Sequence, residues 1–239
     1  MGIQGTVADV VVETDDTTTL RVRLQWPVEF LAGQYFNLRL QLGGSPAPVI
    51  RTYSVASSPF PPSQVIDLTV KEARGGLVSP VLVRETSVGA TVDLDGPFGD
   101  FTWEEGDDGP LLLVAAGSGI VPLMSIVRYE EARRLTVPTS LLYANRDRAH
   151  VIFDAELELI DRRCPWLNVV HALSHDDVDR RAAYHRRVDQ PMLEDVAGRA
   201  RASLLAYVCG PPPFVQSVEK MLITIGIRPS RIRGEEWAA

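Results

Sequence analysis

Cysteine is nearly missing from this 239-residue chain, which has two, Cys164 and Cys209. Two thiols cannot supply the four ligands of an iron–sulfur cluster. They are not spaced for zinc or haem attachment either, and the four histidines are scattered. No metal is expected, so any electrons passing through this protein ride on something else. Long apolar runs are missing as well: nothing approaches the roughly 18 consecutive residues of a membrane-spanning helix. The opening MGIQGTVADV has no basic region followed by an apolar stretch, so no secretory leader is expected. Gly2 and Thr6 fit the short myristoylation pattern, but the residues around them read as a strand. Positive charge is in deficit, with a net charge of −7 and no basic face, which excludes nucleic acid as a partner. The expected location is cytoplasmic.

What is present divides into two halves. Up to about residue 104, short alternating runs are separated by Gly and Pro clusters: GTVADVVVETDDTTTLRVRLQW around a Thr/Asp turn, then GQYFNLRLQL, VIRTYSVAS, VIDLTVKEA and ATVDLDGPFG. Six such strands and one short helix near 77–84 predict a closed antiparallel barrel. The acidic, glycine-rich TWEEGDDGP at 102–110 reads as a boundary, giving domains of 1–104 and 110–239. Beyond it, strand candidates at 111–116, 138–144, 166–172, 203–209 and 230–236 alternate with helical stretches near 119–134, 152–163, 191–201 and 213–225. That alternation predicts a doubly wound α/β domain with a five-stranded parallel sheet.

In such a sheet of order 3-2-1-4-5, strands one and four are neighbours, and ligands bind beyond their C-terminal ends. The first ends in AAGSGIVP and the fourth in YVCGPPPF, so two glycine-bearing turns face one crevice. Gly117 and Gly119 allow backbone amides to approach a pyrophosphate, and the following helix adds its positive end. Glycines after a buried strand also serve as plain connectors, and Cys209 on position alone fits a buried space-filler equally well. The second turn, at Cys209 and Gly210, tips the balance toward a dinucleotide. No base or resolving thiol accompanies Cys209, which disfavours a covalent nucleophile.

RTYS at 51–54, GGLVS at 75–79, GPFG at 96–99, GSGIVP at 117–122, YVCGPPPF at 207–214 and a terminal EEW occur in the order found in the ferredoxin–NADP reductase family, which the chain resembles over nearly its whole length. The resemblance implies an FAD-binding barrel followed by an NAD(P)-binding domain. It implies that Arg51 meets the flavin phosphate, that Tyr53 packs on the isoalloxazine and that Ser54 bonds near its N5. Thr52, Thr69, Val70, Gly75, Gly76, Val78 and Ser79 complete the implied FAD set, with Gly76 and Ser79 at the pyrophosphate. Without the family, Arg51 to Ser54 is ordinary alternating strand and Ser79 a simple helix cap. On the coenzyme side the resemblance implies Gly117, Ser118, Gly119, Arg146, Ser174, Cys209, Gly210 and Pro211. Cys209 lies beside the nicotinamide, Glu235 balances protons, and Trp237 covers the flavin until nicotinamide displaces it. The family more often has Tyr or Phe at that last position. Ser54, Cys209 and Glu235 form the expected catalytic set.

The implied activity is an FAD-dependent NAD(P)H reductase: hydride passes from NADH or NADPH to FAD, and electrons go on to a separate acceptor. Ferredoxin-like proteins, oxygenases and molybdenum-cofactor oxidoreductases are the acceptor classes that accompany such reductases. Coenzyme choice is expected to be set at HALSHDD, where His175 stands in place of an arginine and Asp176 and Asp177 follow Ser174, a lean toward NADH. Arg180, Arg181, Arg186 and Arg187 form a basic cluster that suits an acidic ferredoxin. Two alternatives stand beside this reading: a reductase of free flavin, and a non-catalytic flavin-binding subunit.

Overall fold

The computed structural model describes residues 2–41, 47–199 and 201–237. Leu42, at the end of an expected strand, and Ala200, within an expected helix, lie outside the described residues. The chain folds as two units, one running up to Glu104 and including Met124–Arg133, the other comprising Glu105–Leu123 and Arg134 onward.

The first unit contains β1 (Ile3–Thr14), β2 (Thr17–Leu24), β3 (Tyr35–Leu40), β4 (Val49–Ser54), β5 (Val65–Lys71) and β6 (Thr91–Phe98), with α1 (Ser79–Arg84) between the last two. They form one antiparallel sheet in the order β4-β3-β6-β1-β2-β5. Its two edges meet where Val55 bridges Leu68 and the Ala56 N–H donates to the Asp67 carbonyl at 2.8 Å, which closes the barrel. Alternation supplies the core: Leu20, Val22, Phe36, Leu38, Ile66, Leu68 and Leu94 are fully buried inside. The opposite face of β5 is covered too. There Asp67 receives the Arg21 guanidinium at 3.0 Å, and Arg128 lies 3.8 Å from its other oxygen.

The second unit has β7 (Leu111–Ala116), α2 (Ile120–Arg133, its last ten residues belonging to the first unit), β8 (Thr139–Asn145), α3 (Asp154–Arg163), β9 (Leu167–Leu173), α4 (Gln190–Ala197), β10 (Leu205–Gly210), α5 (Pro212–Thr224) and β11 (Ile232–Glu236). The strands are parallel in the order β11-β10-β7-β8-β9, the doubly wound order expected from the alternation. Leu112, Val114, Leu142, Ala206 and Val208 on one face pack against Met192, Leu193, Val215, Val218 and Leu222 from α4 and α5.

Two local expectations differ. The helix expected over 191–201 stops at Ala197, because Gly198 takes a φ of 57° and ends it. The expected start of α3 at Ile152 is two residues early: Ile152 and Phe153 are buried before the helix, and Asp154 begins it. One pairing has no counterpart in the sequence pattern, the bridge of Tyr184 to Ala172, which lays residues 183–184 along the free edge of β9.

At Gly119 the backbone of the second unit comes so close that an added Cβ would collide with the Cys209 carbonyl. The clash is with the backbone of Cys209 and Gly210, which cannot swing aside as a flexible side chain could. Gly119→Ala is therefore expected to lower the unfolding free energy by about 3 kcal/mol, while Gly106→Ala, with nothing within 4 Å, changes it by under about 0.5 kcal/mol. Urea titrations of the two variants against the parent check this.

Candidate functional site

On the barrel, β4 turns an unusual stretch outward: Ile50, Arg51 and Thr52 are exposed, and Tyr53 and Ser54 are half-buried. Arg51 Nη1 donates to the Ile50 carbonyl at 2.8 Å and meets no carboxylate among the described residues. By contrast, Arg39 is held by Asp95 and Arg84 by Glu72. An exposed guanidinium with spare donors suits a phosphate. Thr52 Oγ1 donates to Asn37 Oδ1 across the β3–β4 pair at 2.8 Å. Burial pushes the Tyr53 phenol up to about 12, against the pull of the nearby Arg51 cation, so the ring stays neutral and offers an uncharged face. Ser54 lies opposite Tyr35, and its hydroxyl makes no hydrogen bond among the described residues. These features fit a flavin nucleotide: a free cation, a half-buried aromatic ring and a spare hydroxyl in one short strand.

The rest of the expected FAD set divides. Thr69 is buried and shares a hydrogen bond with Thr19 at 2.8 Å, while Val70 and Val78 are core residues. The Val70 and Val78 side chains are committed to the barrel interior, and Thr69, on the Asp67 face of β5, is committed to Thr19, so the backbone is what these three leave for a ligand. Ser79 does not cap α1, whose N-cap is Val78 with no side-chain bond. Instead its Oγ accepts the Ala73 N–H at 2.9 Å, and the Gly76 N–H donates to the Ala73 carbonyl at 2.9 Å. The Gly76 amide expected at a pyrophosphate is thus spent inside its own loop. Gly75, with open space around it, is the accessible glycine of the pair.

In the second unit, the sheet brings the two glycine turns together. β7 and β10 are adjacent, with Cys209 opposite Ala115 on one side and Glu235 on the other. Gly117–Gly119 forms one 3₁₀ turn leading into α2, and nothing lies within 4 Å of a Cβ at Gly117. Ser118 stands beside it, partly exposed. Tyr143, fully buried, anchors the turn by donating to the Gly117 carbonyl at 3.0 Å while accepting the Ile152 N–H at 3.2 Å. Gly210 and Pro211 lead into α5, and the Trp237 N–H reaches the Gly210 carbonyl at 3.3 Å, carrying the chain past β11 beside this turn. The Trp237 indole N–H is buried without a partner among the described residues.

Cys209 is 1% exposed, and its thiol is pushed well above its ordinary value, first by burial and then by the Glu235 carboxylate. It is a neutral, small, polarizable group, consistent with the absence of a nucleophilic role.

The loops after β8 and β9 are joined by backbone bonds, from the Ser174 N–H to the Asn145 carbonyl at 3.0 Å and from the His175 N–H to the Arg146 carbonyl at 2.7 Å. Arg146 is exposed but engaged, with Asp147 at 3.2 Å and His150 Nε2 at 2.6 Å. The Ser174 hydroxyl shares a bond with His175 Nδ1 at 2.9 Å. Sequence reasoning missed Tyr143 and the half-buried cluster of Arg148, Asp154 and Asp179; the spacing in NRDRAH carries no sign of which arginine turns inward. Within the basic cluster, Arg181 and Arg186 are tied to Asp154, Glu158, Asp179 and Asp189, leaving Arg180 and Arg187 without ion pairs among the described residues.

A barrel with a phosphate-ready strand and a doubly wound sheet with paired glycine turns define a flavin- and nicotinamide-dependent oxidoreductase. Known proteins bear this out. Residues 4–103 match the oxidoreductase FAD-binding domain and 113–220 the oxidoreductase NAD-binding domain. The chain is 31% identical over 238 residues to the ferredoxin–NAD(P)(+) reductase component of the naphthalene 1,2-dioxygenase system of Pseudomonas putida, covering 98% of this chain and 69% of that one. The Amycolatopsis cytochrome P450 reductase GcoB superposes with a TM-score of 0.85 at 28% identity, covering 99% of this chain and 69% of that one. The FAD/NAD-binding domain of Vibrio cholerae nitric oxide dioxygenase shares the fold, with a TM-score of 0.89 at 24% identity over 100% of this chain and 99% of that one. The chain belongs to the ferredoxin–NAD(P) reductase family and is an FAD-binding, NAD(P)-dependent reductase.

Two measurements test the chemistry of buried groups. Iodoacetamide at pH 8 is expected to leave Cys209 unlabelled in the folded protein and to label it on unfolding; rapid native labelling would contradict the buried neutral thiol. His171, lowered to about 4 by burial and the Arg148 cation, is neutral when folded, whereas its unfolded value is 6.5. The unfolded chain then binds the extra proton, so stability is expected to fall as pH drops from about 6.5 to about 4, and His171→Phe to flatten that slope.

Proposed function

We propose that this chain is the reductase of a multi-component electron-transfer system, taking reducing equivalents from NADH and delivering them to a separate ferredoxin or oxygenase protein. When bound, FAD accepts a hydride from the nicotinamide and can release electrons one at a time. The observation that carries the proposal is the register of β10 with its two neighbours in the parallel sheet: Cys209 and Glu235 side by side at the strand ends, with the turns at Gly117 and Gly210 beside them. The role of these residues is to bind and orient. Gly117, Ser118, Gly119, Gly210 and Pro211 cradle the coenzyme phosphates, and Cys209 offers an uncharged surface to its ring. Arg51 holds the flavin phosphate, Tyr53 the ring face and Ser54 a hydrogen bond at N5. Thr52, Gly75, Gly76 and Ser79, with the backbone of Thr69, Val70 and Val78, line the remainder, Glu235 balances protons as the flavin is reduced, and Trp237 shields the flavin.

The preference for NADH is supported by the charges around Ser174. Asp147, Asp176, Asp177 and Asp179 crowd these turns, while Arg146 and Arg148 are already paired with carboxylates. A 2′-phosphate meets net negative charge there, whereas a ribose hydroxyl meets acceptors. The separate acceptor is supported by the relatives, which serve as components of oxygenase systems. The same reading carries a cytoplasmic location, where reduced nicotinamide is made; among the described residues no helix is long and apolar enough to cross a membrane.

An anaerobic titration of the purified yellow protein with each coenzyme tests the proposal. NADH is expected to bleach the flavin at least about tenfold faster than NADPH. Retained flavin that neither coenzyme bleaches would favour a non-catalytic subunit, and a colourless protein that reduces added flavin would favour a free-flavin reductase.

A further inference from the structure

Arg148 is the most enclosed cation of the second unit's ion pairs, with its side chain 14% exposed. Its Nε donates to Asp179 Oδ2 at 2.5 Å and its Nη1 to Asp154 Oδ1 at 2.8 Å, while its own backbone N–H points to Asp176 Oδ2 at 3.4 Å. The partners come from two places in the chain: Asp176 and Asp179 in the turn after β9, and Asp154 in the first turn of α3. Asp176 in turn folds its own loop, its Oδ1 accepting the N–H groups of Val178 and Asp179 at 3.3 and 3.1 Å. Asp179 Oδ1 takes the Arg181 N–H at 2.7 Å. One guanidinium therefore ties together the two turns that overhang the C-terminal ends of β8 and β9, the side of a parallel sheet on which ligands bind.

The consequence is electrostatic as well as mechanical. The enclosed cation of these turns is neutralised twice over, by carboxylates from either side. Resting on the reading of the chain as a nicotinamide-dependent reductase, we propose that Arg148 is a specificity-determining positioning residue: clamped between Asp154 and Asp179, it shapes the paired turns for an adenosine ribose with free hydroxyls and is withheld from a 2′-phosphate. Selectivity then depends on a half-buried residue that need not touch the coenzyme, and the two ends of the clamp have opposite effects when removed.

Those opposite signs make the test. The purified flavoprotein, in its parent, Asp179→Asn and Arg148→Met forms, is titrated by calorimetry with 5′-AMP and with 2′,5′-ADP, the two versions of the coenzyme's adenosine half. Asp179→Asn adds one positive charge to the cluster and partly frees the guanidinium, so 2′,5′-ADP is expected to gain about fivefold relative to 5′-AMP. Arg148→Met removes that charge and opens the turns, so both fragments weaken, 2′,5′-ADP the more. A role in packing alone would weaken both fragments equally in both variants. A fragment ratio in Asp179→Asn within about twofold of the parent would overturn the proposal, as would a parent that prefers 2′,5′-ADP. If Asp179→Asn does not fold, Asp154→Asn removes the other carboxylate of the clamp and is read the same way. A parent flavin that neither NADH nor NADPH reduces would overturn the reductase reading, whereas a flat fragment ratio beside rapid reduction by NADH would overturn the assignment of Arg148.

Discussion

The coenzyme side of this protein depends on one close approach, the backbone of Gly119 against the carbonyl of Cys209. Two neighbouring parallel strands end at the same height, and each must leave the sheet without striking the other's turn. A side chain at position 119 would force the start of α2 away from β10 and open the crevice between them. The absence of one methyl group lets both turns stay close, and it places the helix start and the turn at Gly210 around a single space. Tyr143 then holds the Gly117 carbonyl from the neighbouring strand, so the loop conformation rests on the sheet and not on the ligand. A site built this way is formed before the coenzyme arrives, which spares binding the cost of ordering it.

Charge is handled differently in the two units. On β4, Arg51 is left exposed with no carboxylate to hold it among the described residues. Around β8 and β9 the reverse holds: the arginines are consumed internally, with Arg148 between two aspartates and Asp179 held down to about 2, chiefly by that guanidinium. The same residue type is thus left unpaired by carboxylates in one place and is structural in the other. What separates them is the supply of nearby carboxylates within reach of each guanidinium.

Much of this is legible in the chain alone. Period-2 runs mark all six barrel strands, and the βα alternation marks the five-stranded parallel sheet with its order, because both patterns are local and repeat often enough to be unambiguous. RTYS, the glycine turns and the terminal EEW are legible as a family signature. Less legible is which side of the chain each residue faces. Thr69, Val70 and Val78 group with the flavin ligands by resemblance, yet Val70 and Val78 fill the barrel and Thr69 is bonded to Thr19 on the other, covered face of β5, a burial that its polar side chain does not announce. The basic cluster at 180–187 looks free in sequence and is half neutralised in the fold, because most of the carboxylates that bind it come from other turns and from α3.

The order of elements, the two-unit plan and the residue types available for phosphate, ring and proton were determined by the sequence itself. They follow from hydrophobic period, glycine placement and the chemistry of single side chains, all of which act over a few residues. Only the tertiary structure decided that Cys209 is sealed beside Glu235, that Gly76 spends its amide on its own loop, and that Arg148 and not Arg146 is the enclosed arginine. Those outcomes depend on how close the strand ends come and on which side chains from separate turns meet, and chain order alone does not carry that information.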